Sequence, residues 1–508
     1  MPDADSARAT AREAIALLTG AAGFTEHRPP PRPLPPDGPL GWAGYDAARE
    51  RASARTGEEE SVVYGTGVVG DRACVLLSFE FGFLGGSLGR NTGDRLAAAY
   101  ELALTRRLPL LALVATGGSR MQEGMVALTQ LQRVAAASTR LRAAGLPQIA
   151  VVRDPTTGGG WATVGAGADV VLALPGAQVG FAGSRVRPPD ADPSAYSAEG
   201  QFAAGQVDAV VPADELAAAV TQWLRALGPH EDLPAAPVPR ALPTAGAEPT
   251  AGAEPPSGAG TGSTAGVSTG AGATPSGAGT GSTAGVSTGA GAGTASAAGG
   301  GAVAPLPETG REAVARARDP RRPRAEAYLA DYFAVRLPLH GDRSGATDPG
   351  LLCGLGLRAD GQPVAYVAQC GTPTRPAGYR AAARTVRLAD RLGVPVLTLV
   401  DTPGAANDAE AERAGAGAAI ADTFAAIAAA RVPVTTLVIG EGGSGGALAL
   451  AAPDNTHVTV DSYFSVIAPE LAAAILKRPP SETGATADQL RLRPQDLVDL
   501  GFARSIAG

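Results

Sequence analysis

The sequence has few of the residues that build metal sites, disulfide frameworks and membrane spans. Among 508 residues it has three cysteines, four histidines and an aromatic fraction of 4%. The cysteines lie far apart and show no metal-ligand or disulfide spacing, so we expect no metal site and a reducing, cytoplasmic location. No apolar run reaches the roughly 20 residues that a membrane span requires, and the N-terminus lacks the pattern of a signal peptide.

Lysine is almost absent, and positive charge is carried almost entirely by arginine. The 42 basic and 49 acidic side chains give a net charge of −7. This balance argues against nucleic acid as the main partner. Lys477 is the only lysine, and Met1, Met121 and Met125 are the only methionines.

Glycine, in contrast, is abundant, and much of it follows apolar runs. The β-branched run at 432–439 enters the glycine-dense stretch 440–446, and an alanine/leucine run follows. This pattern predicts a strand, a tight turn and a helix. Glycine tolerates positive φ, and the first amides of a helix have no internal partner, so such a turn can hold an oxyanion. A packing turn is the alternative for one glycine pair, but similar turns recur at 116–120, 157–160 and 401–405.

The order of predicted elements repeats on either side of a low-complexity segment. Each side reads as paired strands, helix, strand, glycine turn, helix, strand, glycine turn and helix. This alternation predicts two α/β domains, at 1–235 and 306–508, each with helices around a buried sheet. Residues 236–305 are almost wholly Ala, Gly, Ser, Thr and Pro, and the run 256–270 recurs at 275–289. Because this segment has too few apolar residues to offset its ordering entropy, we expect a disordered, flexible linker.

Taken in order, the motifs resemble those of a known enzyme family. Four stretches of the first half, 79–89, 117–123, 154–159 and 180–186, resemble the β subunit of the carboxyltransferase of bacterial acetyl-CoA carboxylase. Five stretches of the second half, 339–343, 376–380, 401–405, 439–446 and 465–470, resemble its α subunit. The chain is therefore similar to a fused β–α carboxyltransferase. The resemblance implies a crotonase-like (ClpP/crotonase) ββα-spiral domain in each half.

The reaction implied by the resemblance is carboxyl transfer from carboxybiotin to the α-carbon of an acyl-CoA, most simply acetyl-CoA giving malonyl-CoA. Negative charge then develops on the thioester oxygen and on the ureido oxygen, so two sets of donors are needed. By resemblance, Gly117, Gly118, Gly158 and Gly159 face the thioester, and Gly404, Ala405, Gly442 and Gly443 face biotin. Further substrate or cofactor contacts are expected at Gly85, Gly86, Arg120, Gly183, Gly445 and Gly446.

Biotin itself must come from a partner. The family's biotin is attached to a lysine that usually lies between methionines, and Lys477 has no such neighbours. The resemblance therefore implies a separate biotin carboxyl carrier protein and a biotin carboxylase, with a homo-oligomer as the expected assembly. Lys477 ends a predicted helix, where it fits the helix dipole and a contact with a CoA phosphate equally well.

Several departures from the family pattern keep other functions open. The β subunit's four-cysteine zinc ribbon is absent, so no structural zinc is expected, and the loop at 370–375 is short. One alternative is a crotonase-type hydratase, isomerase or decarboxylase, with Glu123 or Glu441 as the base. Another is a non-catalytic subunit of a carboxylase complex. Arg120 and Glu123 begin a predicted helix, where a surface role is at least as probable as a catalytic one.

Overall fold

The computed structural model describes residues 8–20, 23–30, 32–184, 187, 190–228, 230, 232–244 and 305–508. Most of the predicted linker, 245–304, lies outside these residues, as do Arg185 and Val186 of one family-like stretch. Within the described residues, no helix combines the length and apolar character that crossing a membrane requires.

The first half contains eight strands and seven helices among its described residues. The strands are β1 Phe24–His27, β2 Val62–Val69, β3 Arg72–Phe79, β4 Leu110–Thr116, β5 Gln148–Thr157, β6 Val170–Ala173, β7 Val179–Gly180 and β8 Ala209–Val210. The helices are α1 Ala11–Thr19, α2 Tyr45–Thr56, α3 Arg90–Arg106, α4 Gly124–Ala143, α5 Gly158–Gly160, α6 Ala198–Ala203 and α7 Leu216–Leu227. A π-helical turn, Trp161–Gly165, continues α5. Single 3₁₀ turns lie at Leu84–Gly86, Met121–Glu123 and Pro193–Tyr196.

The second half repeats this series. Its strands are β9 Val335–Pro338, β10 Leu351–Leu357, β11 Pro363–Gln369, β12 Val396–Thr402, β13 Val434–Gly443, β14 Thr456–Thr459, β15 Tyr463–Ser465 and β16 Ser505–Ala507. Its helices are α8 Gly310–Ala317, α9 Ala325–Tyr332, α10 Pro376–Leu392, α11 Ala409–Arg413, α12 Ala416–Ala429, α13 Ser444–Leu448, α14 Pro469–Ile475, α15 Thr483–Gln489 and α16 Pro494–Asp499. A 3₁₀ turn lies at Pro480–Glu482.

The two sheets have the same topology. Their strand orders are β1-β2-β3-β4-β5-β6-β8 and β9-β10-β11-β12-β13-β14-β16. The first three strands of each are antiparallel and the others parallel, and the late strand β7 or β15 pairs with the end of β5 or β13. The equivalent strands β5 and β13 both have ten residues, and the equivalent helices α3 and α10 both have 17. The predicted repetition of one fold is confirmed at the level of strand pairing.

Apolar sequence explains why the strands that lead to the turns lie at the centre of each sheet. Every residue of β4 and β12 is buried, which is typical of parallel strands covered on both faces. One continuous apolar core joins the halves, because helix α7 of the first half packs on β9, β10 and β11 of the second. Trp223 and Val220 of α7 are buried in this shared core.

Buried ion pairs also cross between the halves. Asp208 is fully buried in the first half and accepts hydrogen bonds from Arg384 Nη2 at 3.0 Å and from the His340 amide at 3.1 Å. Arg343 pairs with the same carboxylate. Burial alone would raise the pKa of Asp208, but the charges of Arg343 and Arg384 outweigh it, so the pKa lies below its ordinary value. Asp208 is therefore charged and holds the second half in place.

The chain after α7 continues onto the second half. Thr435 Oγ1 donates to the carbonyl of Ala236 at 2.7 Å, and Arg240 pairs with Asp331. The described part of the chain thus follows the second half as far as Thr244, within the segment predicted as linker. The predicted domain boundaries themselves stay a prediction.

Candidate active site

The first glycine turn forms where β4 and β5 end side by side. Gly118 and Gly158 have φ values of +101° and +64°, a region that glycine adopts without strain. A Cβ on Gly158 would lie 2.9 Å from Gly118 Cα, so a side chain has no room there. The structure therefore brings together the four residues predicted to face the thioester, which are Gly117, Gly118, Gly158 and Gly159.

The loop around Gly85 and Gly86 supports this turn from one side. The Gly117 amide donates to the Gly85 carbonyl, and the Leu88 amide donates to the Gly118 carbonyl, both at 2.8 Å. A Cβ on Gly86 would lie 2.2 Å from the Ala115 carbonyl oxygen. These glycines allow the loop to approach the backbone closely. Gly183 lies on the other side, where a Cβ would contact Thr157 Oγ1 at 3.5 Å.

The amides of the first turn fall into two groups. Three of them are already bonded: Gly117 to Gly85, Gly118 to Thr116 Oγ1 at 3.0 Å, and Gly158 to the Phe181 carbonyl at 3.0 Å. Across the described residues, the amides of Ser119, Gly159 and Gly160 have no hydrogen-bond partner.

Gly159 and Gly160 are buried, and a buried amide without a partner costs roughly 1–3 kcal/mol. Such orphaned donors at a helix start suit an anionic oxygen.

The second turn reproduces the first. The Gly404 amide donates to Thr402 Oγ1 at 3.1 Å, as Gly118 does to Thr116. A Cβ on Gly443 would lie 2.0 Å from the Pro403 carbonyl oxygen, and one on Gly446 would lie 2.4 Å from the Ala405 nitrogen. The ends of β12 and β13 are therefore in direct backbone contact.

In the second turn, as in the first, the unpaired amides belong to residues next to those whose amides are bonded. In the part of the chain that the structure describes, the amides of Ala405, Gly445 and Gly446 have no partner. Gly442 lies inside β13, where it pairs with β15, and a Cβ on it would meet the Phe464 ring at 2.2 Å. Each half thus presents unpaired amides at the start of a short helix, and the individual roles of these residues stay predictions.

Comparison with known proteins shows which family has this pair of domains. The family described as "Carboxyl transferase domain" matches residues 41–226, and "Acetyl co-enzyme A carboxylase carboxyltransferase-like" matches 308–507. A protein of Saccharopolyspora erythraea named "Acetyl-coenzyme A carboxylase carboxyl transferase subunits beta/alpha" is 34% identical over 95% of this chain and 75% of its own length. Its namesake in Salinispora arenicola is 36% identical over 98% of this chain and 82% of its own length.

The chain belongs to the acetyl-CoA carboxylase carboxyltransferase family. Among solved structures, a transcarboxylase 12S subunit with methylmalonyl-coenzyme A bound matches 99% of this chain and 87% of its own, at 19% identity and a TM-score of 0.70. A single-chain long-chain acyl-CoA carboxylase covers 99% of this chain and 45% of its own, at 19% identity and a TM-score of 0.68. These likenesses confirm the predicted crotonase-like fold.

Arg120 of this carboxyltransferase is not a surface residue, and that part of the sequence interpretation is wrong. Its side chain is fully buried and pairs with Glu60 and with Glu123 Oε1, the latter at 3.3 Å. Tyr45 also donates to Glu123 Oε1 at 2.6 Å. Glu60, far away in sequence, supplies the charge that makes burial possible, and Arg120 lowers the pKa of Glu60 although burial opposes this. Arg120 thus positions the turn that precedes it.

A second buried pair holds the second turn. Asp401 is fully buried and accepts from Arg322 Nη2 at 2.5 Å and from Arg324 Nη1 at 3.0 Å, while its Oδ1 also accepts from the Glu441 amide at 3.1 Å. Asp401 lies near the end of β12, where the predicted turn 401–405 begins, but the sequence gave no signal for Arg322, since the two are distant in sequence. Each carboxyltransferase turn is therefore fixed by an arginine–carboxylate pair.

Two surface grooves lie away from the glycine turns. One of about 450 Å³ runs between α3, α4 and the residues Pro29, Pro30 and Arg32, with Arg133 in its wall, and one of about 400 Å³ adjoins it. Neither contains a residue of the glycine turns, which open onto the surface at Gly117, Ser444 and Gly445. No group of described side chains could hold a metal ion.

Proposed function

We propose that the chain transfers a carboxyl group between biotin, carried on a separate protein, and an acyl-CoA, with acetyl-CoA as the acyl substrate. The observation that carries this proposal is the pair of equivalent turns, each with unpaired amides at a helix start, of which those of Gly159, Gly160 and Gly446 belong to buried residues. Two reactants that both develop an oxyanion need two such donor sets. When bound, carboxybiotin supplies the carboxyl group, and the chain supplies the donors that bind and orient both reactants.

The first turn is assigned to the thioester. Gly159 and Ser119 would direct their amides at the thioester oxygen, which favours removal of a proton from the adjacent carbon because negative charge is stabilised on that oxygen. Gly117, Gly118 and Gly158 remain part of this site. Since their own amides are bonded within the protein, their contribution is the backbone shape that leaves the neighbouring amides free.

The second turn is assigned to biotin. Ala405 and Gly445 would direct their amides at the ureido oxygen, with Gly404, Gly442 and Gly443 shaping the turn around them. These amides fit an oxygen that gains negative charge as the carboxyl group leaves.

The competing hydratase or isomerase would need a free carboxylate beside a turn. Glu123 is fully buried and already paired with Arg120. Glu441 Oε2 accepts from Arg318 Nε at 2.8 Å and from Tyr463 Oη at 2.7 Å. Both candidates are held as ion pairs. This favours carboxyl transfer, in which no side-chain base is required because the biotin nitrogen would take the proton from the α-carbon after the carboxyl group has left.

The proposed partners follow from what the chain cannot supply. Its one lysine, Lys477, lacks the methionine neighbours of a biotinylation site, so a biotin carboxyl carrier protein and a biotin carboxylase complete the reaction. We also propose a cytoplasmic homo-oligomer. Acetyl-CoA is the proposed substrate because the fused relatives are named after acetyl-coenzyme A carboxylase. A relative in Mycobacterium bovis has a broader name, "Probable biotin-dependent acyl-coenzyme A carboxylase beta3 subunit". It is 31% identical over 90% of this chain and 82% of its own length.

The test is to incubate the purified chain with malonyl-CoA and biocytin. Formation of acetyl-CoA that depends on biocytin supports carboxyl transfer, and the same assay with methylmalonyl-CoA and longer carboxylated acyl-CoAs measures acyl preference through kcat/KM. Hydration of an enoyl-CoA would instead support the hydratase. If the chain forms a complex with the carrier protein and the biotin carboxylase but shows no turnover in any of these assays, a non-catalytic subunit would be supported.

A further inference from the structure

A cluster of three buried polar side chains lies on the interior side of the second turn. Gln369 is the last residue of β11, Thr374 lies two residues before α10, and Tyr379 is the fourth residue of α10. Each has an exposed fraction of 1% or less. Gln369 Nε2 donates to Thr374 Oγ1 at 3.1 Å, so the side chains form a connected group, here called the polar cluster.

Two members of the polar cluster hold the carbonyl of Gly446 in α13. Tyr379 Oη donates to this carbonyl at 3.0 Å, and Gln369 Nε2 donates to it at 3.4 Å. Burial raises the pKa of Tyr379, so its hydroxyl stays protonated and can donate. A continuing α-helix would direct the Leu450 amide at this carbonyl, but that amide donates to Ala447 instead. Buried side chains therefore supply the bonds that the short helix does not.

The polar cluster also holds the segment that carries Ala405. The Thr374 amide and carbonyl bond to the backbone on either side of Ala405, at 3.1 and 2.9 Å. A Cβ on Gly446 would lie 2.4 Å from the Ala405 nitrogen and 2.6 Å from Tyr379 Oη. The start of α13 and the segment after β12 are thus fixed against each other by the same group of side chains.

The polar cluster distinguishes the second half from the first. The equivalent positions of the first half are the last residue of β3, the residue two before α3 and the fourth residue of α3, and they hold Phe79, Leu88 and Gly93. Leu88 bridges to Ser119 as Thr374 bridges to Ala405, which confirms the equivalence. Phe79 and Leu88 are buried in an apolar core. The shared fold therefore forms without polar side chains at these positions.

Gln369 is an unfavourable choice for stability alone. Among the described residues its Oε1 has no hydrogen-bond partner, although the side chain is fully buried. A buried acceptor without a partner destabilises the folded state, whereas an apolar side chain such as that of Phe79 carries no such group. A role other than folding accounts for a carboxamide at this position.

We infer that Gln369 and Tyr379 are positioning residues for carboxyl transfer, which hold the first turn of α13 so that the amides of Ala405 and Gly445 point at one oxygen. Gly446 has no side chain that restricts its own backbone, so the two hydrogen bonds to its carbonyl provide the restraint. The inference rests on the proposed function and adds to it two residues that act through the backbone and contact neither reactant.

Two substitutions of similar size remove the donors. We expect Tyr379→Phe and Gln369→Leu each to lower kcat for transfer from malonyl-CoA to biocytin by about tenfold, because small displacements of aligned groups are costly. The KM for malonyl-CoA should stay within about twofold of the wild-type value. Gln369→Leu should keep or raise Tm, since it removes the unpartnered acceptor. The double variant should lose less than the product of the two single losses, because both donors serve one carbonyl.

Tyr100→Phe is the matched control. Tyr100 is fully buried on α3, the counterpart of α10, and its hydroxyl donates to Gln148 Oε1 at 3.2 Å. This variant also loses one buried hydroxyl, but away from the second turn, and should keep the wild-type kcat within about twofold.

Hydrogen exchange measured by mass spectrometry provides a readout without turnover. Amides of 444–450 should exchange faster in Tyr379→Phe and Gln369→Leu than in the wild type, whereas those of 158–165 should not change. If kcat stays within about twofold in both variants, if exchange at 444–450 is unchanged, or if kcat falls only together with Tm, the inference is overturned. If the wild-type chain transfers no carboxyl group, the proposed function fails, and exchange at 444–450 still decides whether the two side chains hold α13.

Discussion

Replacing Gly443 by alanine tests whether close backbone packing between the ends of β12 and β13 controls the rate of carboxyl transfer. The added Cβ would lie 2.0 Å from the Pro403 carbonyl oxygen and 2.7 Å from the Gly404 nitrogen. Ordinary contacts of a Cβ are 3.4–4 Å, so the ends of β12 and β13 must separate by more than 1 Å. Both clashing groups are backbone, which cannot rotate away as a side chain would.

The expected magnitude follows from the displaced donors. Movement of the Pro403 segment carries the Ala405 amide away from the site, and loss of one such donor lowers kcat by about 10²–10³-fold. A misplacement of about 1 Å is on its own sufficient for about a 10²-fold loss. Overpacking costs about 1–3 kcal/mol of folding free energy, so the protein should remain folded with a lower Tm. A β-branched residue at position 443 should be more severe.

The assay is carboxyl transfer from malonyl-CoA to biocytin, with circular dichroism to confirm the fold. Gly417→Ala is the matched control, because a Cβ there meets nothing within 4 Å and α12 tolerates alanine. This control should keep wild-type kinetics and a Tm equal to or above that of the wild type. A folded Gly443→Ala variant with kcat/KM within about threefold of the wild type would refute the assignment of the second turn.

Three further substitutions test the buried charges. Arg120→Met leaves Glu60 and Glu123 buried without their partner, so urea titration should show a loss of about 3–5 kcal/mol in unfolding free energy, and an unchanged value would contradict a positioning role. The pKa of Asp208 is lowered in the folded state, so the stability that its charge provides is present above its ordinary pKa of 3.8 and is lost as pH falls through the folded value. Asp208→Asn should therefore lower Tm at pH 7. A plot of Tm against pH should also show a smaller decline in acid for this variant than for the wild type. Glu441→Gln should retain carboxyl transfer within about tenfold, whereas complete loss would revive a role for this carboxylate as a base.

Local sequence was sufficient to predict the repeated order of strands, turns and helices, because each central strand is apolar along its length and each turn is rich in glycine. It was not sufficient for the edge strands β1 and β9. Both are only four residues long and partly exposed, so they lack the apolar pattern that marks a strand. The Asp401–Arg322 pair was also out of reach, since 79 residues separate its members and neither has a local signature.

The sequence also located the glycines of the site but not the donors. Glycines at 117, 118, 158 and 404 stand out because the backbone there needs positive φ or close approach, yet their own amides are bonded to neighbouring backbone or threonine. The unpaired amides belong to the next residues, such as Ser119, Ala405 and Gly445, whose identity is unrestricted because only their main chain takes part.

The same separation of roles appears in both halves, with Thr116 and Thr402 bracing the turn through equivalent hydrogen bonds of 3.0 and 3.1 Å. A duplicated scaffold can therefore keep its bracing residues fixed while the donor positions change. Gly158 and its counterpart Ser444 belong to the shaping positions, because the Gly158 amide is already bonded to the Phe181 carbonyl. Within this scheme, two halves with one backbone design can serve two different oxyanions.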